Sequence, residues 1–265
     1  MSDKTNRYTV LIQTIFAERY APNASEIVFN RSDIVDTAQR LGIELPKNLG
    51  DVIYTFRYRA DLPGSITETA PAGYEWIIRP AGRGRYSFTL SLPVSIEPSP
   101  HLAETKIPDA TPGVIAKYAL NDEQSLLARI RYNRLIDIFL GLTCNSLQNH
   151  LRTTVRGMGQ VETDEVYIGI DKRGVHFVIP VQAKSGRDKL GIVQIEQDFA
   201  LCKEKFPNLV SIPIAAQFMQ DDVIALFAFE ESEKGIVVTA ERHYRLVPVG
   251  ALSTDELLAY QRRPL

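Results

Sequence analysis

Apolar positions in the front third of the chain follow a helical period and then an alternating one. Residues 34–41 (Ile34-Val-Asp-Thr-Ala-Gln-Arg-Leu41) predict a helix, capped by Ser32-Asp33 and stopped at Gly42. After a short turn (Ile43 to Pro46), Leu49, Val52, Ile53 and Phe56 share one face of a second helix over 48–57. Two strand-like runs follow, 74–79 and 85–92, joined by Pro80-Ala-Gly-Arg-Gly84. Three prolines between Pro93 and Pro100, with Pro108 and Pro112 beyond, then predict an extended connector.

Behind the connector the pattern resumes. Asn121 or Asp122 opens an amphipathic helix from Glu123 to about Leu140, with Leu126, Leu127, Ile130, Leu135, Ile138 and Phe139 on its apolar face. A strand over 148–155 and a hairpin (166–170 and 175–183 around Asp171-Lys-Arg-Gly174) come next. A helix over 190–206 and strands over 209–216 and 223–229 complete an α-β-β-β-α-β-β order. The prediction is an α/β protein with a domain over 1–100, a linker or extended wrap over 101–118, and a second domain over 119–265.

Composition narrows the class. Thirty basic against 32 acidic residues leave a net charge of −2, so no global basic field points to nucleic acid. The longest apolar run, Val223 to Phe229, is about seven residues against the roughly 20 that span a bilayer. The start, MSDKTNRYTV, carries no apolar signal core. Cys144 and Cys202 are too few for a disulfide framework or structural zinc site and read as inert thiols. These features predict a cytoplasmic protein.

Candidate chemistry lies in Glu162-Thr-Asp164-Glu165, in Gln182-Ala-Lys184 and in Glu123 on the preceding helix. Hairpin pairing brings Asp164 beside the second strand's end, and strand alternation sends Gln182 and Lys184 to one side with Ala183 away. An acid, an amide oxygen, the Ala183 carbonyl and an ammonium then meet at a sheet edge. That set suits Mg²⁺, which takes hard oxygen ligands, keeps waters, and binds one or two carboxylates with substrate phosphate. A lysine beside it can orient an attacking water and offset transition-state charge.

This order, with an aspartate followed by Gln-x-Lys, resembles the PD-(D/E)xK nuclease superfamily over roughly residues 115–230. The Val181-Gln182-Ala183-Lys184 variant is most similar to Mrr-type restriction endonucleases. The resemblance implies a restriction-endonuclease-like αβββαβ core, preceded by a smaller α+β winged-helix-like domain at residues 30–95. It implies Asp164 as the metal-binding acid, Gln182 as the second ligand position, Lys184 as the catalytic lysine and Glu123 as a helical glutamate of the metal site. The neutral Gln182 departs from the usual second acid and removes one charge, which Glu162 or Glu165 could restore. Double-stranded DNA is the implied substrate and Mg²⁺ the cofactor. Cutting both strands calls for a homodimer, with a cognate DNA methyltransferase in the same system. A second reading is a non-catalytic DNA-binding regulator with a degenerate nuclease-like domain, and a third is a nuclease acting on RNA or branched DNA.

For DNA contact the sequence offers Arg83, Arg85 and Tyr86 at the hairpin tip, where a Gly-Arg-Gly-Arg stretch lets two guanidiniums reach a backbone or groove. Lys47, Asn48, Arg57 and Arg59 flank or occupy the second helix, where Asn and Arg can read base edges. Between Lys47 and Ser95, six basic and four acidic residues leave only +2. Arg131 and Arg134, with Arg129, Tyr132 and Asn133, form either a phosphate-contacting or a solvated helical face. His150 and Arg152, in a cluster with Asn145, Gln148 and Asn149, are further candidates. Gln194, Gln197 and Asp198 share a helix face that either supports the metal site or is an ordinary polar surface.

Overall fold

The computed structural model describes residues 3–118, 120, 123–184, 190–219, 222–233 and 235–263. The front unit runs α1 (Asp3–Arg19), β1 (Glu26–Asn30), α2 (Arg31–Leu41), α3 (Gly50–Tyr58), α4 (Gly64–Thr67), β2 (Glu75–Pro80) and β3 (Arg85–Ser91). The last two strands and α2 fall close to their predicted places. α2 starts three residues earlier than expected, because Asn30 is the cap and its N–H donates to Asp33 Oδ2 at 2.6 Å. Gly42 ends it in the left-handed region at φ 65°, which a side chain would disfavour.

Three elements here are additions to the predicted set: α1, β1 and the one-turn α4. α1 buries Tyr8, Leu11, Ile12, Ile15 and Phe16, spaced i, i+3, i+4, i+7 and i+8, as an amphipathic helix must. β1 buries Ile27 and Phe29 in alternation and adds to β3, giving an antiparallel sheet ordered β1-β3-β2. Phe16 meets Trp76 and Phe88 edge-on at 5.4 and 5.1 Å, so the helix and sheet share one aromatic core.

The connector wraps onto the back unit. Ile96 is buried against its core and Ser99 N–H donates to Glu241 Oε1 at 2.7 Å. Within the stretch read as linker, β4 (Glu104–Pro108) is a true strand, paired parallel with β11 (Gly235–Val247). Its signal was masked by Pro108, which edge strands tolerate.

α5 (Gly113–Tyr118), α6 (Glu123–Tyr132) and α7 (Leu135–Leu140) follow. Asn121 and Asp122, expected to open the long helix, lie outside the described residues. That single helix is in fact broken: Arg134 is left-handed at φ 49°, and the buried Asn133 amide ties α6 to Asp109, Ala110 and Thr111. The break turns Ile138, assigned to the apolar face, out to solvent.

Beyond it come β5 (Thr143–Val155), β6 (Gly159–Ile170), β7 (His176–Lys184), α8 (Ile192–Lys205), β8 (Val210–Ser211), β9 (Ile214–Phe218), β10 (Val223–Ser232), β11 and α9 (Thr254–Gln261). The large sheet is mixed, ordered β4-β11-β10-β9-β7-β6-β5, with β8 beside β7. β5, β6 and β7 form an antiparallel meander, β7 runs parallel to β9 across α8, and β10 and β11 return antiparallel. α6 and α7 pack on Tyr167, Ile179, Val181, Ile214 and Ile224 on one face. α8 covers the other, where Ala215, Ala225 and Phe227 alternate with them. β7, central and covered on both sides, is buried from Val178 onward, hence its nearly unbroken apolar run. Among the described residues no helix is long and apolar enough to cross a membrane.

The two units are locked at α8. Arg79 Nε and Nη2 grip the Glu196 carboxylate at 2.5–3.1 Å. Gly191, just before α8, lies so near α3 that a Cβ there would stand 3.2 Å from the Tyr58 ring and 3.3 Å from the Arg57 carbonyl.

Candidate active site

The hairpin register dictates the central geometry. Glu165 pairs with Val181, so the next residues outward bring Asp164 beside Gln182 and Ala183. Ala183 N–H donates to Asp164 Oδ2 at 2.8 Å, which fixes one carboxylate oxygen and leaves the other for a ligand. At the end of β7, Lys184 Nζ donates to Glu123 Oε1 at 2.9 Å, so the start of α6 is pinned to the strand. Asp164, Gln182, Lys184 and Glu123 line one cavity of about 430 Å³. The four candidate catalytic residues therefore come together.

Electrostatics follow from burial. Desolvation raises the pKa of Asp164, against the Ala183 N–H and Lys184, which lower it. For Lys184 burial opposes the charge, but the Glu123 hydrogen bond and the two carboxylates outweigh it, so the amine is held protonated more firmly than usual.

Gln182 is differently placed from the metal ligand the sequence predicts. Its Nε2 donates to both Asp198 oxygens at 3.1 Å and to the Glu162 carbonyl at 3.2 Å, while its Oε1 accepts from Gln194 Nε2 at 3.1 Å. All of its donors are spent within the protein. Asp198 is fully buried, and burial pushes its pKa well up, although Gln182 and Thr163 donate to it. The acid missing from β7 thus has a counterpart in the Asp198 carboxyl on α8, held behind the glutamine. Glu162 lines the cavity, but its carboxylate meets His150 at 3.3 Å and Arg152 at 2.8 Å. Glu165 points to the opposite face, wholly buried, and is held there by Arg131 at 2.8 Å and Ser146 at 2.5 Å. It cannot reach Asp164.

His150 also lines the cavity. Its flanking pairs, Asn149 with Glu165 and Leu151 with Thr163, put it across from Asp164, and its backbone is left-handed at φ 53°. Such a conformation inside a strand is uncommon outside glycine. Arg131 and Arg134 lie away from the cavity, held by Glu165 and Asp137 respectively. Lys47, Asn48, Arg83 and Arg85 are exposed at the periphery, where Asn48 Oδ1 also caps α3 through the Gly50 N–H. Arg59 stacks on the Tyr54 ring at 4.8 Å.

The remaining wall is built by the front unit: Tyr54, Arg57 and Tyr58 of α3, with Tyr86 of β3. Residues 54, 57 and 58 are spaced i, i+3 and i+4, so a second stripe on α3 was legible, but nothing local says what it faces. Tyr58 is buried, which raises its pKa against the positive fields of Arg57 and Lys184, which lower it.

Among the described residues no group of three or more His, Cys, Asp or Glu side chains converges to hold a metal ion; the carboxylates lining the cavity are Glu123, Glu162 and Asp164. Compared with known proteins, the chain matches no family model, no curated protein and no solved structure.

Proposed function

We propose that the protein is a Mg²⁺-dependent endonuclease that hydrolyses phosphodiester bonds in double-stranded DNA, of the restriction or Mrr-like kind. The observation that carries this reading is the meeting of Asp164, Lys184 and Glu123 in one cavity, at the end of a β-meander flanked by α6 and α8. Mg²⁺ fits the donor set: it needs only one or two carboxylates and completes its shell with water and phosphate oxygens. Asp164, through its free oxygen, and Glu123 are the residues that would hold it. The ion would supply charge stabilisation at the scissile phosphate and acidify a bound water.

The chain's own groups do the rest. The Ala183 N–H keeps the Asp164 carboxylate oriented. Glu123 keeps the Lys184 ammonium in place, where its protons can steer a water in line and offset charge building on the phosphate. Gln182 serves as the brace between β7 and α8. In the front unit, α1-β1-α2-α3-β2-β3 is the order of a winged helix, apart from the short α4. With the Tyr54–Arg57–Tyr58 face of α3 turned inward, duplex contact falls to Arg83 and Arg85 at the tip and to Lys47, Asn48 and Arg59. A homodimer would present two sites to the two strands.

The test is cleavage of supercoiled plasmid under Mg²⁺ titration with a chelator control. Asp164→Asn and Lys184→Met are expected each to lower single-turnover cleavage by at least about a thousandfold, roughly 4 kcal/mol of barrier, with duplex binding retained. Cleavage within tenfold of wild type in either variant would refute the assignment.

The pinned Gln182 amide favours a second reading, a DNA-binding regulator whose nuclease-like domain holds no metal. Wild-type protein that binds duplex but neither cuts it nor takes up Mg²⁺ would establish that alternative.

A further inference from the structure

Arg57 sits in the wall between the cavity just described and a neighbouring one of about 390 Å³ lined by Trp76, Ile78 and Leu190. Its Nε donates to the Ile78 carbonyl at 2.8 Å, and its guanidinium stands 5.7 Å from the Tyr86 ring centre. Its Nη2 is buried and has no hydrogen-bond partner, and the Tyr58 hydroxyl, kept protonated by burial, is the neutral group that also meets the guanidinium. Glu196, the carboxylate that acts on it at a distance, is already held by Arg79. A cation withdrawn from water without an acid beside it is costly, and folded proteins seldom keep one unless something else supplies the anion.

The pairing of charges in the cavity points to that anion. Lys184 is paired with Glu123 and Glu162 with Arg152, so among the described residues Arg57 is the lining cation with no carboxylate in hydrogen-bond contact, the one left to take an anionic ligand. The guanidinium fork also matches phosphate oxygens two at a time, which an ammonium does not.

We propose that Arg57 binds the substrate's phosphate inside the cavity, so that the front unit supplies part of the catalytic pocket in addition to any grip on the duplex. The inference deepens the nuclease reading and rests on it for the identity of the anion. Arg57 acts by positioning the phosphate against Lys184, while Tyr54 and Tyr58 flank the strand. At about 430 Å³ the cavity admits a nucleotide or two of one strand and no duplex.

The test uses the full chain with two neutral or conservative variants, R57M and R57K. The probe is a 5′-phosphorylated thymidine tetranucleotide, titrated calorimetrically in Ca²⁺, with melting temperature followed in parallel. Expected for R57M is about ten- to a hundredfold weaker binding, the range for losing a charge-assisted hydrogen bond, with a melting temperature equal to or above wild type. R57K should bind between the two, since it keeps the charge and loses the fork. Wild-type affinity in R57M overturns the proposal. So does a lowered melting temperature in both variants, because the guanidinium would then be a structural support. Cleavage is scored separately, on wild type and R57M with Mg²⁺ in place of Ca²⁺. A wild-type protein that binds through Arg57 without cutting would therefore sink only the nuclease reading.

Discussion

Replacing Gln182 by glutamate would add a second acid next to Lys184, and from the sequence alone it should help the proposed metal site. The structure gives the opposite expectation. Gln182 is 1% exposed, and its amide nitrogen lies 3.1 Å from both oxygens of the fully buried Asp198. A glutamate would set two carboxyls at about that separation. Both ionised, they repel by ~5 kcal/mol at an effective dielectric constant near 20. Keeping one proton instead costs ~1.4 kcal/mol for each pH unit above the ordinary glutamate value near 4.3, again ~5 kcal/mol at pH 8 but only ~1 at pH 5. The folded pair's pKa is raised, so its stability is intact at acidic pH and lost as pH climbs. Urea unfolding of Gln182→Glu is therefore expected to fall below wild type by up to about 4 kcal/mol more at pH 8 than at pH 5, less the share that the raised Asp198 pKa already costs the wild type, against the 5–15 kcal/mol a domain has. Adding Asp198→Asn should remove most of that slope by exchanging donor and acceptor across the same contact. A single variant as stable as wild type at pH 8, or a double variant no better than the single, would refute the reasoning.

Two further expectations concern the site's support. His150→Gly should be about 1 kcal/mol more stable than His150→Ala, because both lose the ring and only alanine keeps a Cβ in the left-handed backbone at φ 53°; equal urea midpoints would show that the β5 conformation is not enforced. Gly169→Ala should cost about 1–2 kcal/mol, since the new Cβ would stand 2.9 Å from Ile179 Cδ1 and 3.3 Å from Cys144 Sγ. Ile179→Val, which removes the crowding methyl, should return much of that loss in the double variant's melting temperature.

Where the chain's signals were local, the reading of its elements held. The β6–β7 hairpin, α8 and the β2–β3 hairpin follow from alternating or 3.6-residue periods bounded by glycine and aspartate turns, and they lie within two residues of their expected ends except for β6, which begins at Gly159, seven residues before the expected Val166. The helix expected over 123–140 broke because Asn133 serves buried contacts with Asp109, Ala110 and Thr111, partners more than twenty residues away. β4 and β11 escaped for a related reason: an edge strand containing proline and a half-exposed strand show little periodicity until they pair.

For the site, the sequence by itself determined that an aspartate and a lysine would meet across one hairpin, because pairing register and strand alternation follow from a period of two. It could not decide what Gln182 is for. Whether that amide turns to a metal or to Asp198 depends on how close α8 packs on β7, which is settled by the volumes of Phe199, Ala215 and Phe227 between them and their neighbours. Nor could it place Tyr54, Arg57 and Tyr58 in the same cavity as Lys184, since that needs Gly191 to let two parts of the chain far apart in sequence approach within van der Waals contact. Side-chain spacing along one element is written in the chain; the distance between elements is an outcome of packing, to which residues far apart in sequence all contribute.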